Sequence, residues 1–217
     1  MSETTTVHVL RHGEVHNPEG VLYGRLPDYH LSDLGVAMAV RIAEHLKGED
    51  VVHLVSSPLE RAQETAAPSA AMLELPVTID ERLIEAGNVY EGGPIQSGPK
   101  DFAHPRNWWR LRNPAKPSWG EPYTEQRDRM WAAINDAAAE NPDHETVMVS
   151  HQLPIWVARM SFEQRRFLHD PRSRECGLGS VTSFTFIDGK ATAMSYATPA
   201  SGIEVPKYGA AGSGTTG

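Results

Sequence analysis

Apolar and polar positions alternate along this chain with two periods, and the periods take turns. Val7 to Leu10 form a nearly unbroken apolar run, as expected of a strand covered on both faces. A helical spacing follows in "DLGVAMAVRIAEHLK", opened by Ser32 as N-cap and closed by Gly48 at the C′ position. "VVHLVSS" (51–57) is a second strand. Pro58 then stands at the N1 position of a helix running to about Leu73, with Pro68 predicting a kink or break inside it. "VTI" (77–79) is a short third strand.

The pattern lapses over residues 86–123, where glycines and prolines are interspersed with Trp108, Trp109 and Trp119. A long insertion of this kind in a compact domain is expected to be a lid. Helical spacing returns from about Thr124 to Glu140, then a strand "TVMVS" (146–150), a helix "QLPIWVARMSF", and a β-hairpin over 180–197 turned at Asp188-Gly189. Strand–helix alternation predicts an α/β fold: a mostly parallel central sheet flanked by helices, three layers in all. It forms a single domain over residues 1–200, with 86–123 inserted and 201–217 a flexible Gly/Ala/Ser/Thr tail.

Charge narrows the partners. Twenty Lys and Arg against 28 Asp and Glu leave a net charge of −8, with a pI near 5.7. No broad surface for nucleic acid or an anionic membrane is expected. No run of about twenty apolar residues occurs, and "MSETTTV" has neither a basic nor an apolar leader region. Cys176 is the one cysteine, read as a small inert residue. These features together predict a cytoplasmic protein.

Four predicted strand ends carry reactive residues, at the edge where open α/β sheets bind ligands. Arg11-His12-Gly13-Glu14 follows the first. A histidine held neutral is a nucleophile toward phosphorus, and an adjacent arginine matches phosphate oxygens. Gly13 allows a close backbone approach. Arg61 lies early in the helix after the second strand, where the helix terminus already attracts anions. Glu85 follows the third strand, as a carboxyl able to protonate a departing alkoxide. His151 follows "TVMVS", placed to hold phosphate oxygens as an imidazolium donor. Each alone is weak; an arginine–histidine pair at a strand end is more often plain surface.

Together, "LRHGE", "SSPLERAQETA", "RLIEAG…EGG" and "VMVSHQ", in this order and spacing, resemble the histidine phosphatase superfamily, also called phosphoglycerate mutase-like, over roughly residues 5–200. "LSDLGVAMA" and "GEPYTEQRDRM" add smaller marks. The resemblance implies that His12 takes the phosphoryl group as phosphohistidine. It makes Arg11, Arg61 and His151 the phosphate pocket, and Glu85 the proton donor and later the base. It implies no metal and no cofactor, because two arginines and a protonated histidine supply the charge. Asn17 stands one position earlier than the family's phosphate-contacting asparagine, and Gln152 replaces a common glycine. Asn17, Gln152, Arg110 and Arg112 are therefore candidate substrate contacts, the last two from an insertion whose tryptophans serve packing or recognition alike.

Other chemistries fit less well. His8, His12 and His16 are evenly spaced, but on a strand and loop that spacing makes no common face for a metal. A zinc deaminase shares "H-x-E" at His12 and Glu14, yet its P-C-x-x-C partner is impossible with one cysteine. Glycolytic phosphoglycerate mutases carry "E-R-H-Y-G" and an insertion of paired arginines, which "RLIEAGNVYEGG" and residues 86–123 lack. The preferred reading is thus a phosphatase of a small phosphorylated metabolite, ahead of a mutase. A non-catalytic phospho-ligand module ranks below both, since nucleophile and acid are both kept.

Overall fold

Alternation along the strands explains the layering. The computed structural model describes residues 4–89, 91–93, 120–170 and 173–203. On β1 (Thr4–Arg11), Val7 and Val9 pack on one face and Leu10 on the other. The first face is continued by Val55 of β2 (Val51–Ser56), Met148 of β4 (Glu145–Ser150), and Phe184 and Phe186 of β5 (Val181–Ile187). The second face is continued by Leu54, Val147, Val149 and Val181. Both faces are dry, so the strands read as continuous apolar runs.

Helices α1 (Asp33–Leu46) and α2 (Glu60–Leu73) cover the second face through Ile42, Leu46, Ala62 and Ala66. Helices α3 (Tyr123–Glu140) and α4 (Gln152–Phe162) cover the first through Met130, Ile134, Ile155 and Ala158. The six strands run in the order β3-β2-β4-β1-β5-β6, with β3 at Val77–Ile79 and β6 at Lys190–Ala197. The first four are mutually parallel, and the β5–β6 hairpin adds an antiparallel edge. The chain is therefore a mostly parallel α/β sandwich, as the sequence pattern predicts.

Local signals hold in detail at several points. The Ser32 hydroxyl accepts from the Gly35 N–H at 3.0 Å, capping α1. Asp188 and Gly189 both have positive φ, 49° and 74°, as a two-residue hairpin turn of right-handed strands requires. At two prolines the helix start and the helix break are not where local rules put them. Pro58 is not N1, because Leu59 is the N-cap and α2 starts at Glu60. Pro68 does not break α2, which runs on to Leu73. Ala62, Thr65, Ala66 and Ser69 are all buried along the helix, and this packing outweighs the one missing N–H.

Of the insertion, only its two ends lie within the described residues. Asn88 bridges Gly120, and the Glu121 N–H donates to the Gly87 carbonyl at 3.0 Å, so departure and return are pinned together. Residues 94–119, including Arg110 and Arg112, lie outside the described residues, as does most of the Gly/Ala/Ser/Thr tail. Among the described residues no helix is long and apolar enough to cross a membrane.

Candidate active site

Parallel pairing puts the C-terminal ends of β1, β2 and β4 on one edge, with β4 between the other two. Arg11 is in register with Ser150, so the next residues, His12 and His151, emerge side by side. Their ring centroids are 5.1 Å apart. On the other flank of β4, the Ser57 N–H donates to the Val149 carbonyl at 2.9 Å. That bond brings the Ser57 hydroxyl to 2.8 Å from His151 Nε2.

The tautomer of His12 is determined by its neighbour. His12 Nδ1 lies 2.8 Å from the Gly13 carbonyl, which can only accept. The proton is therefore on Nδ1, leaving the Nε2 lone pair available. Burial, then the charges of Arg61 and Arg11, hold this imidazole well below its usual pKa, although the Gly13 bond pulls the other way. His12 is neutral at neutral pH. His151 is likewise held well below the usual range, by burial first and then by His12 and nearby arginines. Burial therefore favours the neutral imidazole at His151 over the imidazolium. With the Ser57 hydroxyl donating to Nε2, a neutral His151 still offers Nδ1–H as a donor.

The close approach at Gly13 is to the backbone of α1. A Cβ at Gly13 would stand 2.6 Å from the Gly35 carbonyl oxygen, and one at Gly35 would stand 2.0 Å from that of Glu14. The glycine pair lets the start of α1 press against the loop bearing His12. Glu14 clamps the same contact: its backbone carbonyl accepts from the Ser32 N–H at 3.0 Å and its carboxylate from the Ser32 hydroxyl at 2.6 Å. From the other side, the Thr65 hydroxyl accepts from the Gly13 N–H at 3.0 Å and donates to the Arg61 carbonyl at 2.7 Å.

Arg61 is the second residue of α2 and is fully buried. Its NH2 donates to the Gly24 carbonyl at 2.6 Å, and its guanidinium lies 4.8 Å from the centre of the Tyr23 ring. Arg61 Nε and NH1, Arg11 Nε and His151 Nδ1 are buried without a hydrogen-bond partner among the described residues. Buried orphan donors are costly. Four from three of the predicted residues, around a neutral histidine, are what an oxyanion would satisfy.

Glu85 reaches this edge along an anchored path. After β3 a 3-10 turn at Glu81–Leu83 leads back toward β4, where the Ser150 hydroxyl donates to the Leu83 carbonyl at 2.7 Å. Arg25 Nε donates to the Glu85 carbonyl at 2.6 Å, while Arg25 NH2 and the Arg129 guanidinium both grip Glu121. Desolvation raises the Glu85 pKa, against the pull of the Ala86 N–H and of Arg61 and Arg11. The carboxyl is thereby biased toward the protonated form that an acid needs.

A cavity of about 460 Å³ opens above, lined by Arg11, His12, Glu85, Tyr23, Gln152 and Arg174 among others. Arg61 and His151 lie beneath it, fully buried. Gln152 is brought to the site. Asn17 is not: its amide donates to the Val21 carbonyl at 2.9 Å and accepts from the Val21 N–H at 3.0 Å, closing a loop. Three contributors escaped sequence reasoning. Ser57 had a usable signal, a hydroxyl directly after a strand on the ligand-binding edge. Tyr23 and Arg174 had none, since both lie in segments without periodicity.

Residues 7–198 match the histidine phosphatase superfamily (branch 1). A relative from Mycobacterium tuberculosis, the uncharacterized protein Rv0525, is 50% identical over 200 residues, covering 92% of this chain and 99% of its own. A probable phosphoglycerate mutase, GpmB of Yersinia pestis, is 29% identical over 152 residues, covering 69% and 70%. Among solved structures, the mycobacterial glucosyl-3-phosphoglycerate phosphatase Rv2419c superposes with a TM-score of 0.73 at 25% identity, covering 90% of this chain and 98% of that one. With the family match spanning most of its length, this chain belongs to the histidine phosphatase superfamily, branch 1.

Proposed function

We propose that the protein is a phosphatase that hydrolyses a small phosphate monoester through a phosphohistidine on His12, without a metal. The observation that carries this reading is the pairing of a neutral His12, its Nε2 lone pair left available by the Nδ1–Gly13 bond, with buried donors of Arg11, Arg61 and His151 that lack partners. The phosphatase named among the structural relatives supports it.

In the first step His12 Nε2 attacks phosphorus, the P–N bond forms and the ester P–O bond breaks. Glu85 gives its proton to the departing alkoxide, which leaves as an alcohol. In the second step the Glu85 carboxylate takes a proton from water, the water oxygen attacks phosphorus and the P–N bond breaks. Inorganic phosphate leaves and both side chains return to their starting states. Arg11, Arg61 and His151 donate to the equatorial oxygens throughout, where charge accumulates in the transition state.

Hydrolysis of an aryl phosphate series in EDTA tests this. Glu85→Gln should lower kcat/KM for esters of poorly acidic alcohols by about a hundredfold or more while sparing kcat/KM for good leaving groups, because the water attack that also uses Glu85 comes after the step that kcat/KM reports. Equal loss for every leaving group would refute the acid role, and abolition of wild-type activity by chelation would refute the metal-free mechanism. Phosphoryl transfer between positions of phosphoglycerate is the second reading, suggested by the mutase relative. It predicts isomerisation of 3-phosphoglycerate, stimulated by 2,3-bisphosphoglycerate, in place of phosphate release.

A further inference from the structure

The arginines of the described residues divide into two groups. Of those that are buried or half-buried, Arg25, Arg82, Arg127, Arg129 and Arg159 each contact a carboxylate within 4.0 Å. Arg11, Arg61 and Arg174 contact none among the described residues. The first two are the phosphate-pocket arginines already described. Arg174 is the exception that the phosphate pocket leaves unexplained.

Arg174 lines the same cavity as Arg11, His12 and Glu85. Its Nε donates to His169 Nε2 at 2.8 Å, and its NH1 reaches the Gln152 side-chain oxygen at 3.4 Å. Neither partner brings a negative charge: Gln152 is an amide, and burial holds His169 below the usual imidazole range. The Arg174 NH2 has no protein partner among the described residues. Tyr123 and Glu85 act on it only through space, and a half-desolvated guanidinium with no carboxylate within 4.0 Å among the described residues is unfavourable unless a ligand supplies one. Its planar fork suits a carboxylate or phosphate.

Its distance from the phosphate pocket is set by Gln152. Arg11 NH1 donates to the Cys176 carbonyl at 2.6 Å, and the Gln152 amide nitrogen approaches the same oxygen at 3.4 Å. The other end of that amide accepts from Arg174. The two guanidiniums therefore flank one glutamine amide on one wall of the cavity. The other carboxylates lining that cavity are occupied elsewhere. Glu121 is ion-paired to Arg25 and Arg129, and Glu85 accepts from the Ala86 N–H at 2.8 Å.

We propose that Arg174 forms a second anion subsite, so that the preferred substrate carries a carboxylate or a second phosphate a few bonds from the phosphate that is cleaved. This rests on the phosphatase reading above and adds the class of substrate to it.

Binding to a His12→Ala protein, which cannot turn ligand over, tests the subsite by calorimetry with two matched pairs. Glycerol 3-phosphate and 3-phosphoglycerate differ by one carboxylate; 1,3-propanediol monophosphate and bisphosphate differ by one phosphate. At least one doubly anionic ligand should bind about tenfold or more tightly than its partner, as a charge-assisted bond in a partly dry site provides. The pair that discriminates identifies the second anion. Adding Arg174→Gln should bring that ratio within about threefold of unity, weakening the doubly anionic ligand far more than glycerol 3-phosphate. Arg174→Lys, which keeps the charge without the fork, should retain part of the ratio, and it serves as the test should the glutamine variant fail to fold.

No discrimination in either pair, a ratio that survives removal of Arg174, or an equal weakening of all four ligands would each overturn the proposal. Inorganic phosphate separates the two levels. If it binds while discrimination is absent, the second subsite fails and the phosphate pocket stands. If it does not bind at all, the phosphatase reading fails and the subsite with it.

Discussion

Gly35→Ala is the substitution that most sharply connects the fold to the nucleophile. A Cβ there would lie 2.0 Å from the Glu14 carbonyl oxygen and 3.0 and 3.1 Å from the Glu14 carbon and nitrogen. All three neighbours are backbone, so no side chain can rotate out of the way. Restoring ordinary contact requires α1 and the His12 loop to separate by more than about 1 Å, which is overpacking costing about 1–3 kcal/mol. The same movement stretches both Ser32–Glu14 hydrogen bonds and displaces Gly13, whose carbonyl holds His12 Nδ1. For a chain of 217 residues, that energy lowers the thermal midpoint by roughly 2–12 °C. An ångström of misplacement at the nucleophile lowers the rate by about a hundredfold. Thermal unfolding by circular dichroism and initial rates on an aryl phosphate measure both. Gly177→Ala is the control, since a Cβ there meets only the Tyr196 hydroxyl at 3.6 Å. If Gly35→Ala kept both wild-type activity and the wild-type midpoint, the glycine contact would not be what positions His12.

Two further outcomes follow from the same site. Burial keeps His12 and His151 neutral in the fold, whereas in the unfolded chain they titrate near the ordinary value of about 6.5. Above that pH the two states bind protons equally. As pH falls below about 6.5 the unfolded state alone takes them up, so stability falls by up to about 1.4 kcal/mol per pH unit for each histidine. Denaturant titrations between pH 7.5 and 5 should show this loss, and saturating inorganic phosphate, which favours the imidazolium forms, should flatten it; a pH-independent midpoint would contradict the burial argument. Ser57→Ala removes the partner of His151 Nε2, at a cost of about 1–3 kcal/mol in stability. It should lower kcat/KM by about tenfold, and unchanged kinetics would show that Ser57 does not orient His151.

How much of this was legible beforehand depended on the range of each interaction. Arg11, His12 and His151 could be read because an apolar run that stops at a charged residue marks a strand end, and parallel strand ends converge wherever the sheet places them. Glu85 was readable on the same rule, although its anchors were not. Arg25, Glu121 and Arg129 come from three separate segments, and only folding brings them together. Gly13 was recognised as a close-approach position, but its neighbour is the backbone of α1, twenty-two residues away in sequence. Asn17 shows the converse: its local bonds to Val21 outweigh any role suggested by its position near the motif. Pro68 was misread because helix-breaking is a local rule, and the buried side of α2 overrides it. Arg174 follows α4 in a stretch with no periodicity, so its lack of an ion pair among the described residues emerges only when the ion pairs of the other arginines are known.

The account rests on His12 as the atom that receives the phosphoryl group. Rapid acid-free quenching of the enzyme with labelled phosphate ester, followed by peptide mass spectrometry under alkaline conditions, measures this directly. The account predicts one base-stable, acid-labile phosphoryl group on the peptide containing His12, turning over at the steady-state rate and absent from His12→Ala. A phosphoryl group on His151 or Ser57 would contradict it, as would hydrolysis at full rate by His12→Ala.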